Sequence, residues 1–247
     1  TKRAKAYVFG SIFNKFGRKR TPMKITFLGH AALKIQTEKH TLVVDPFISG
    51  NDLAKDRIDL SSLKPDYILL THAHQDHILD VERLAGKGVT IISNYEIVSH
   101  FEKKGLEGHP MNHGGERDFG FGWLKYVNAV HTSSFPDGSY GGQPGGFLLR
   151  SSSKQIYIAG DTALHMDMKL IPEYGEPDLA ILPIGDNFTM GVADAIRACD
   201  FIRCDRVLGV HYDTFGYIVI DKDQAVADFK AAGKTLLLPE IGSSIDV

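Results

Sequence analysis

Cysteine is scarce in this chain, and long apolar runs are absent. Cys199 and Cys204 are the two cysteines in 247 residues, and their spacing fits neither a CxxC redox pair nor a disulfide framework. We expect both to be buried thiols in a reducing, cytoplasmic compartment. A membrane-spanning helix needs roughly 20 consecutive apolar residues, whereas the apolar stretches here have the length of strands. The sequence therefore predicts a soluble protein without a membrane span.

An excess of either charge is also missing. The chain has 28 Lys and Arg against 30 Asp and Glu, a net charge of -2, so no overall field favours nucleic acid, an anionic membrane or an acidic substrate. With 43% hydrophobic residues, a chain of this length can bury the core of one α/β domain.

The first 22 residues differ from the rest because Lys and Arg are concentrated there, while a regular strand pattern starts at Met23. A signal peptide needs a continuous apolar segment, and Gly10, Ser11 and Lys15 interrupt this one. We predict a mobile basic extension over 1–22 and one hydrolase domain over 23–247. The alternative for 1–22 is an amphipathic arm that touches a membrane or nucleic acid.

Strand and helix patterns alternate after Met23. Two β-rich stretches interleaved with helices predict two sheets covered on their outer sides by helices. Helical spacing is expected in ILDVERLAGKG, from Ile78, and from Val192 to Cys204, and a closing strand in TLLLPEIG. Polar clusters follow several apolar strands, and a rigid scaffold can hold such clusters together.

The segment HAHQDH, which follows the strand Tyr67 to Leu70, carries the strongest chemical signal. His72 and His74 alternate to one side of an extended chain and can reach one cation, while Asp76 and His77 face a neighbouring one. Imidazole and carboxylate suit zinc first, with Mn, Fe and Ni as alternatives. Further ligands must come from elsewhere, and His131, Asp161 and His211 each follow an apolar strand in the same way.

In order, THAHQDH, His131, GDT with Asp161, and His211 resemble the metal motifs of the metallo-β-lactamase superfamily. More narrowly, MKITFLGHAALKI, VVDPFISGN, MNHGG, PIGDNFTMG and HYDTF resemble the UPF0173 metal-dependent hydrolases, related to ascorbate-phosphate lactonases. The resemblance covers Met23 to the C-terminus and implies an α/β fold, a four-layer αββα sandwich with a dinuclear site. It implies the following ligands: His72, His74 and His131 for one metal, Asp76, His77 and His211 for the other, and Asp161 as the bridge.

Several further residues are candidates for supporting roles. Asp45 matches a motif that supports the metal-binding loop, and His30 in LGHA is a candidate for holding substrate or stabilising an oxyanion, with a core histidine as the alternative. Contacts of His113 or Asp186 with substrate stay open. Other side chains that could shape the pocket are Thr189, Met190, Tyr212 and Asp213.

These residues predict a metal-dependent hydrolase that acts on a small molecule. Two divalent metal ions would activate a water for attack on an ester, lactone or phosphodiester bond, with Asp76 and His30 as catalytic residues. The alternatives are an RNA-processing nuclease, for which no basic stripe is evident, a redox di-iron protein, and a non-catalytic metal-binding module. Pairing of subunits into a homo-oligomer is a further possibility.

Overall fold

The computed structural model describes residues 23–247 and arranges them around two mixed β-sheets of seven strands each. The predicted basic extension over 1–22 lies outside the described residues, so it remains a prediction. In each sheet, three antiparallel pairings are followed by three parallel ones, and the two sheets thus have the same internal plan.

The first sheet has the strand order β14-β1-β2-β3-β4-β5-β6. Its strands are β1 (Lys24–Gly29), β2 (Ala32–Gln36), β3 (Thr41–Val44), β4 (Tyr67–Leu69), β5 (Thr90–Asn94), β6 (Glu107–Met111) and β14 (Ser244–Asp246).

The second sheet has the order β13-β12-β11-β10-β9-β8-β7. Its strands are β7 (Glu116–Phe119), β8 (Gly122–Asn128), β9 (Gly145–Ser151), β10 (Lys154–Ile158), β11 (Leu179–Pro183), β12 (Arg206–Val210) and β13 (Thr235–Leu237).

Helices lie on the outer side of each sheet. The α-helices are α1 (Gln75–Ile78), α2 (Val81–Leu84), α3 (Tyr95–Glu102), α4 (Val192–Ile202) and α5 (Lys222–Ala231), and the 3-10 helices span Leu60–Ser62, Met166–Tyr174 and Gly216–Ile218. In the part of the chain that the structure describes, no helix has the length and apolar character needed to cross a bilayer.

Alternating strand residues pack on opposite faces of the sheets and so define four layers. In β4, Leu69 packs into the core between the two sheets, while Ile68 packs outward against a cluster that includes Ile97 and Phe101 of α3. Successive strand side chains point to opposite faces, so a strand covered on both sides is apolar throughout. The four-layer αββα sandwich implied by the resemblance is confirmed.

The outer helices follow from their apolar spacing. Helix α4 buries Ala195, Ala198, Cys199 and Ile202, a stripe with the three- and four-residue spacing of one helix face. Cys199 and Cys204 are both buried free thiols, as expected. The helix ends at Ile202, two residues before the predicted end, because Arg203 adopts a left-handed conformation with φ 53°.

Three details differ from the sequence-based expectations. The helix predicted from Ile78 is shortened to α2, and α1 ends where it was expected to begin. The two helices are separate because the buried Asp80 side chain between them accepts hydrogen bonds from the backbone of Ile48 and Ser49 instead of continuing a helix face. The strand expected in TLLLPEIG is shortened to β13. The chain then forms β14, which the sequence analysis missed and which pairs with β1.

The fold brings the polar clusters to one edge. Parallel strands end at the same edge of a sheet. The segments that follow β10, β11 and β12 therefore lie side by side, and so do the segments that follow β3 and β4. The two edges meet where the His211 backbone N–H donates to the carbonyl of His30, at 2.9 Å.

Phe147 of β9 tests the assignment of the core between the sheets. It is fully buried and packs edge-to-face on Tyr126. Because Phe147→Ala would leave a cavity between two covered sheets, we expect a loss of about 3–5 kcal/mol in the free energy of unfolding, measured by urea denaturation. Val226→Ala on the exposed side of α5 is the control, with an expected change within about 0.5 kcal/mol. A loss below about 1 kcal/mol for Phe147→Ala would contradict this description of the core.

Candidate metal centre

All the sequence-predicted ligand residues converge at the shared edge of the two sheets. Three groups of side chains have ligand atoms within 4.8 Å of one another and could hold a metal ion. They are His72 with His74 and His131, His72 with His77 and Asp161, and Asp76 with His77, His211 and His30.

The first group combines a loop of each sheet. His72 and His74 follow β4, and the His72 Nε2 lies 3.0 Å from the His74 Nδ1. His131 follows β8 in the second sheet, and its ring centroid lies 5.1 Å from that of each of the other two. Three imidazoles from two sheets thus face a common point.

The group of Asp76, His77, His211 and His30 lies on the other side of Asp161. The Asp76 Oδ2 is 3.8 Å from the Nε2 atoms of both His77 and His211 and 3.1 Å from the His30 Nε2. Asp76 and His77 are in α1, and His211 directly follows β12. Helix α1 therefore turns these two side chains towards the second sheet.

Asp161 lies between the two groups. Its Oδ2 is 3.0 Å from the Nε2 of His211 and 3.4 Å from that of His77, and on the other side 3.6 Å from His131 and 3.9 Å from His72. One buried carboxylate oxygen is therefore surrounded by ring nitrogens from both groups.

Several residues of the site have an unusual backbone conformation. His30, Asp45 and His211 all have positive φ, at 56°, 43° and 57°. Residues other than glycine rarely adopt this conformation, which costs of order 1–3 kcal/mol and is concentrated at functional sites. Gly160, at φ 66°, precedes Asp161, and a Cβ there would lie 2.8 Å from the Cβ of Thr71. The close approach of the two sheets thus requires glycine at this position.

Asp45 orients two of the histidines. Its Oδ2 accepts hydrogen bonds from the Nδ1 of His77 at 2.9 Å and from the Thr71 hydroxyl at 2.7 Å. The same hydroxyl lies 3.0 Å from the Nδ1 of His72. Since the hydroxyl hydrogen goes to Asp45, the His72 Nδ1–H donates to the Thr71 oxygen. Both histidines therefore present Nε2 to the centre of the site.

The electrostatics of the site favour a positive charge at its centre. Burial lowers the pKa of His72 well below its ordinary value, and His77 lowers it further. For His77, burial opposes the charged form, but Asp161, Asp76 and Asp45 outweigh burial and hold its pKa well above the ordinary value. For Asp161, burial would raise the pKa, but His211 and His77 outweigh it and hold the pKa well below.

The donor set fits divalent cations. The His77 Nε2 and the Asp161 Oδ1 are buried and find no hydrogen-bond partner within residues 23–247. Unpaired polar atoms in such positions are costly. Two nitrogens that bind one zinc tetrahedrally at 2.0–2.1 Å lie roughly 3.3 Å apart, and the ligand-atom separations around Asp161 and between His72 and His74 bracket that value.

His30 is close to the centre but not on the wall of its cavity. Its side chain is fully buried, with Nε2 on Asp76 and Nδ1 3.0 Å from the Thr214 hydroxyl. Burial and then the proximity of His211 lower the pKa of His30 to about 4, so the ring is neutral at pH 7. Any effect of His30 on substrate would therefore pass through Asp76.

Other candidate residues lie outside this cavity. His113 stacks on Tyr126 and its Nε2 lies 2.9 Å from the Pro144 carbonyl, which leaves it no free ring edge on that side. Asp186 lines a larger groove beside α4 and α5, and Met190 is buried. Tyr212 and Asp213 line a third cavity, behind His30.

The sequence analysis missed three side chains of the cavity beside the cluster. The cavity has a volume of about 290 Å³ and is lined by cluster residues together with Thr132, Phe188 and Phe215. The sequence analysis also missed Thr71, although its position directly before His72 indicated a role beside the site. The two phenylalanines carry no such local signal, because an exposed aromatic residue in a loop has many explanations.

Comparison with known proteins gives the family of the chain. The family described as "Beta-lactamase superfamily domain" matches residues 24–211. A UPF0173 metal-dependent hydrolase of Christiangramia forsetii is 62% identical over 226 residues, which cover 91% of this chain and 100% of that protein. A UPF0173 metal-dependent hydrolase of Flavobacterium johnsoniae is 59% identical over the same shares of both chains.

A solved structure agrees with this. Igni18, described as a novel metallo hydrolase from the hyperthermophilic archaeon Ignicoccus hospitalis, superimposes with a TM-score of 0.81 at 30% identity and covers 92% of this chain and 99% of its own. The ligand-rich edge of the sandwich and the similarity to these relatives lead to the same family. The chain belongs to the metallo-β-lactamase superfamily and, within it, to the UPF0173 metal-dependent hydrolases.

Proposed function

We propose that the chain hydrolyses an ester, lactone or phosphodiester bond of a small molecule with a water activated at the cluster around Asp161. The observation that carries this proposal is the convergence of ring nitrogens from both sheets on one buried carboxylate oxygen. The cavity beside the cluster has a volume of about 290 Å³, close to the lower end of the range for small-molecule sites.

Two divalent cations fit this arrangement, with zinc as the first choice and Mn, Fe or Ni as alternatives. His72, His74 and His131 would hold one, Asp76, His77 and His211 the other, and Asp161 would lie between them. When bound, the pair would lower the pKa of a shared water towards 7 and polarise the substrate oxygen.

Asp76 is the residue that would handle the proton of the attacking water. It lines the cavity, and its side chain is 26% exposed. Burial would raise its pKa, but His77 and His30 outweigh burial and hold the pKa well below the ordinary value. Asp76 is therefore ionised at neutral pH and can accept a hydrogen bond from water. His30 would act as a positioning residue, because it fixes the Asp76 Oδ2.

The cysteines do not serve as an alternative nucleophile. Both are buried near α4, and burial raises the pKa of the Cys199 thiol to about 12. Since the thiolate is the nucleophilic form, direct attack by water accounts better for hydrolysis than a covalent thioester. Buried free thiols also agree with the proposed cytoplasmic location.

The proposal is tested by metal analysis joined to hydrolysis assays. Protein purified without added metal should contain about two divalent ions per chain and should hydrolyse at least one substrate in panels of lactones, esters and phosphodiesters. Chelation should abolish turnover, and added zinc or manganese should restore it. Asp161→Asn should lower the metal content and reduce hydrolysis to the uncatalysed background, because it removes the charge that both groups share.

The control is Asp194→Asn on the exposed side of α4, which should retain both metal and turnover. Tightly bound iron with oxygen reduction and no hydrolysis would instead support the redox alternative. Absence of metal after reconstitution would contradict the proposal.

A second prediction concerns Asp45. Asp45→Asn would replace one acceptor oxygen with an amide donor, so the network that orients His72 and His77 could no longer form as it stands. We expect zinc affinity to fall about 10- to 100-fold in a competition titration with a chromophoric chelator. Asp66→Asn, which also alters a carboxylate that accepts a backbone hydrogen bond, is the control outside the site. Unchanged zinc affinity with lowered thermal stability would give Asp45 a purely structural role.

A further inference from the structure

Two phenylalanines form one wall of the cavity above the ligand cluster. Phe188 and Phe215 line it together with the metal-binding side chains, and they are 51% and 38% exposed. Tyr217, 78% exposed, extends this surface, with its ring centroid 6.1 Å from that of Phe188. We call Phe188, Phe215 and Tyr217 the aromatic rim.

Phe188 is held in place by a strained turn. The turn is closed by a β-bridge between Gly185 and Gly191, and Asp186 and Asn187 both have positive φ, at 63° and 56°. The backbone N–H of Met190 donates to the carbonyl of Thr162, 3.0 Å away, and Thr162 is the neighbour of Asp161. The fold thus keeps a large apolar side chain exposed beside the reacting centre at a conformational cost.

Phe215 is fixed by a second loop. Its ring centroid lies 5.3 Å from that of His30 and 6.2 Å from that of Phe47. Asp213, at φ 61°, closes the loop because its backbone N–H donates to the Ile218 carbonyl and its Oδ1 accepts from the Ile220 N–H. The rim is therefore preorganised on both sides.

Beyond the metal ions proposed at its floor, the described part of the chain offers this cavity no cation that could pair with an anionic substrate tail. Among residues 23–247, no Lys or Arg side chain lines this cavity, whose ionisable wall groups are Asp76, Asp161 and histidines. Arg57 and Lys222 line the separate cavity of about 390 Å³ behind His30, and Lys222 is paired with Asp213 at 2.8 Å. Proteins that bind phosphodiesters of nucleic acids contact the phosphates with such cations.

We propose that the aromatic rim binds an apolar alkyl or aryl group next to the scissile bond, and that the substrate is a neutral ester or lactone. This inference rests on the proposed hydrolytic function and narrows it. In the reaction, the oxygen of water forms a bond to the acyl carbon, the acyl C–O bond breaks, and the alkoxide leaving group takes a proton of the water. An ester gives an alcohol and a carboxylic acid, a lactone gives a single hydroxy acid, and in both cases the acid ionises by releasing a proton to solvent.

The experiment compares p-nitrophenyl acetate, p-nitrophenyl hexanoate and bis(p-nitrophenyl) phosphate on the metal-loaded enzyme. We expect hexanoate to exceed acetate in kcat/KM and both to exceed the phosphodiester. Phe188→Ala and Phe215→Ala should each lower kcat/KM for hexanoate about tenfold or more, chiefly through KM, and change that for acetate much less, because a shorter chain loses less contact. Phe188→Leu should restore most of the hexanoate activity.

Tyr95→Ala, which removes an exposed aromatic side chain of α3 outside the cavity, is the matched control and should leave both esters unchanged. Metal content and circular dichroism verify that each variant folds. Phosphodiester turnover above that of the esters, or a hexanoate preference that survives both Phe→Ala changes, would overturn the rim inference and leave the proposed hydrolysis standing. A metal-loaded enzyme without turnover on any panel would overturn both.

Discussion

Three buried or half-buried carboxylates surround the imidazole of His77, and the rest of the site depends on these contacts. The His77 Nδ1 lies 2.9 Å from the Asp45 Oδ2, and its Nε2 lies 3.4 Å from Asp161 and 3.8 Å from Asp76. Burial of unpaired charge is expensive, so the cluster needs positive charge at its centre. In the metal-free site a proton on His77 can supply part of it. When divalent cations bind to the ring nitrogens, His77 gives up that proton and the cations supply the charge instead.

The two sheets cooperate to build that centre. Asp45 and Thr71 of the first sheet turn His72 and His77 inward, while the second sheet contributes Asp161 and His211. Direct contacts between the sheets keep the halves in register, because the Thr71 carbonyl accepts from the backbone N–H of Gly145 in the second sheet. Strain at the strand ends is tolerated because the buried core between the sheets over-determines the backbone there.

The sequence was most informative where the signal was local. HAHQDH places four ligand-type side chains within six residues, and His131, Asp161 and His211 each lie within three residues of the end of an apolar strand. Apolar runs likewise predicted most strands and the two-sheet plan. Together with the family resemblance, these apolar runs were sufficient to predict the fold class.

What escaped prediction depends on contacts between distant residues. Strand β14 has three residues and pairs with β1 at the other end of the described chain, so no local pattern specifies it. The break between α1 and α2 follows from the Asp80 contacts with Ile48 and Ser49, more than 30 positions away. The part of the aromatic rim that lines the cavity, Phe188 and Phe215, arises only when two separate loops are brought together.

Anomalous X-ray diffraction from crystals of the metal-loaded protein, recorded at the absorption edge of the bound metal, tests the central claim most directly. The account predicts two peaks roughly 3.5–4 Å apart, one among His72, His74 and His131 and the other among Asp76, His77 and His211, with Asp161 between them. A single peak, or peaks outside this cluster, would contradict it.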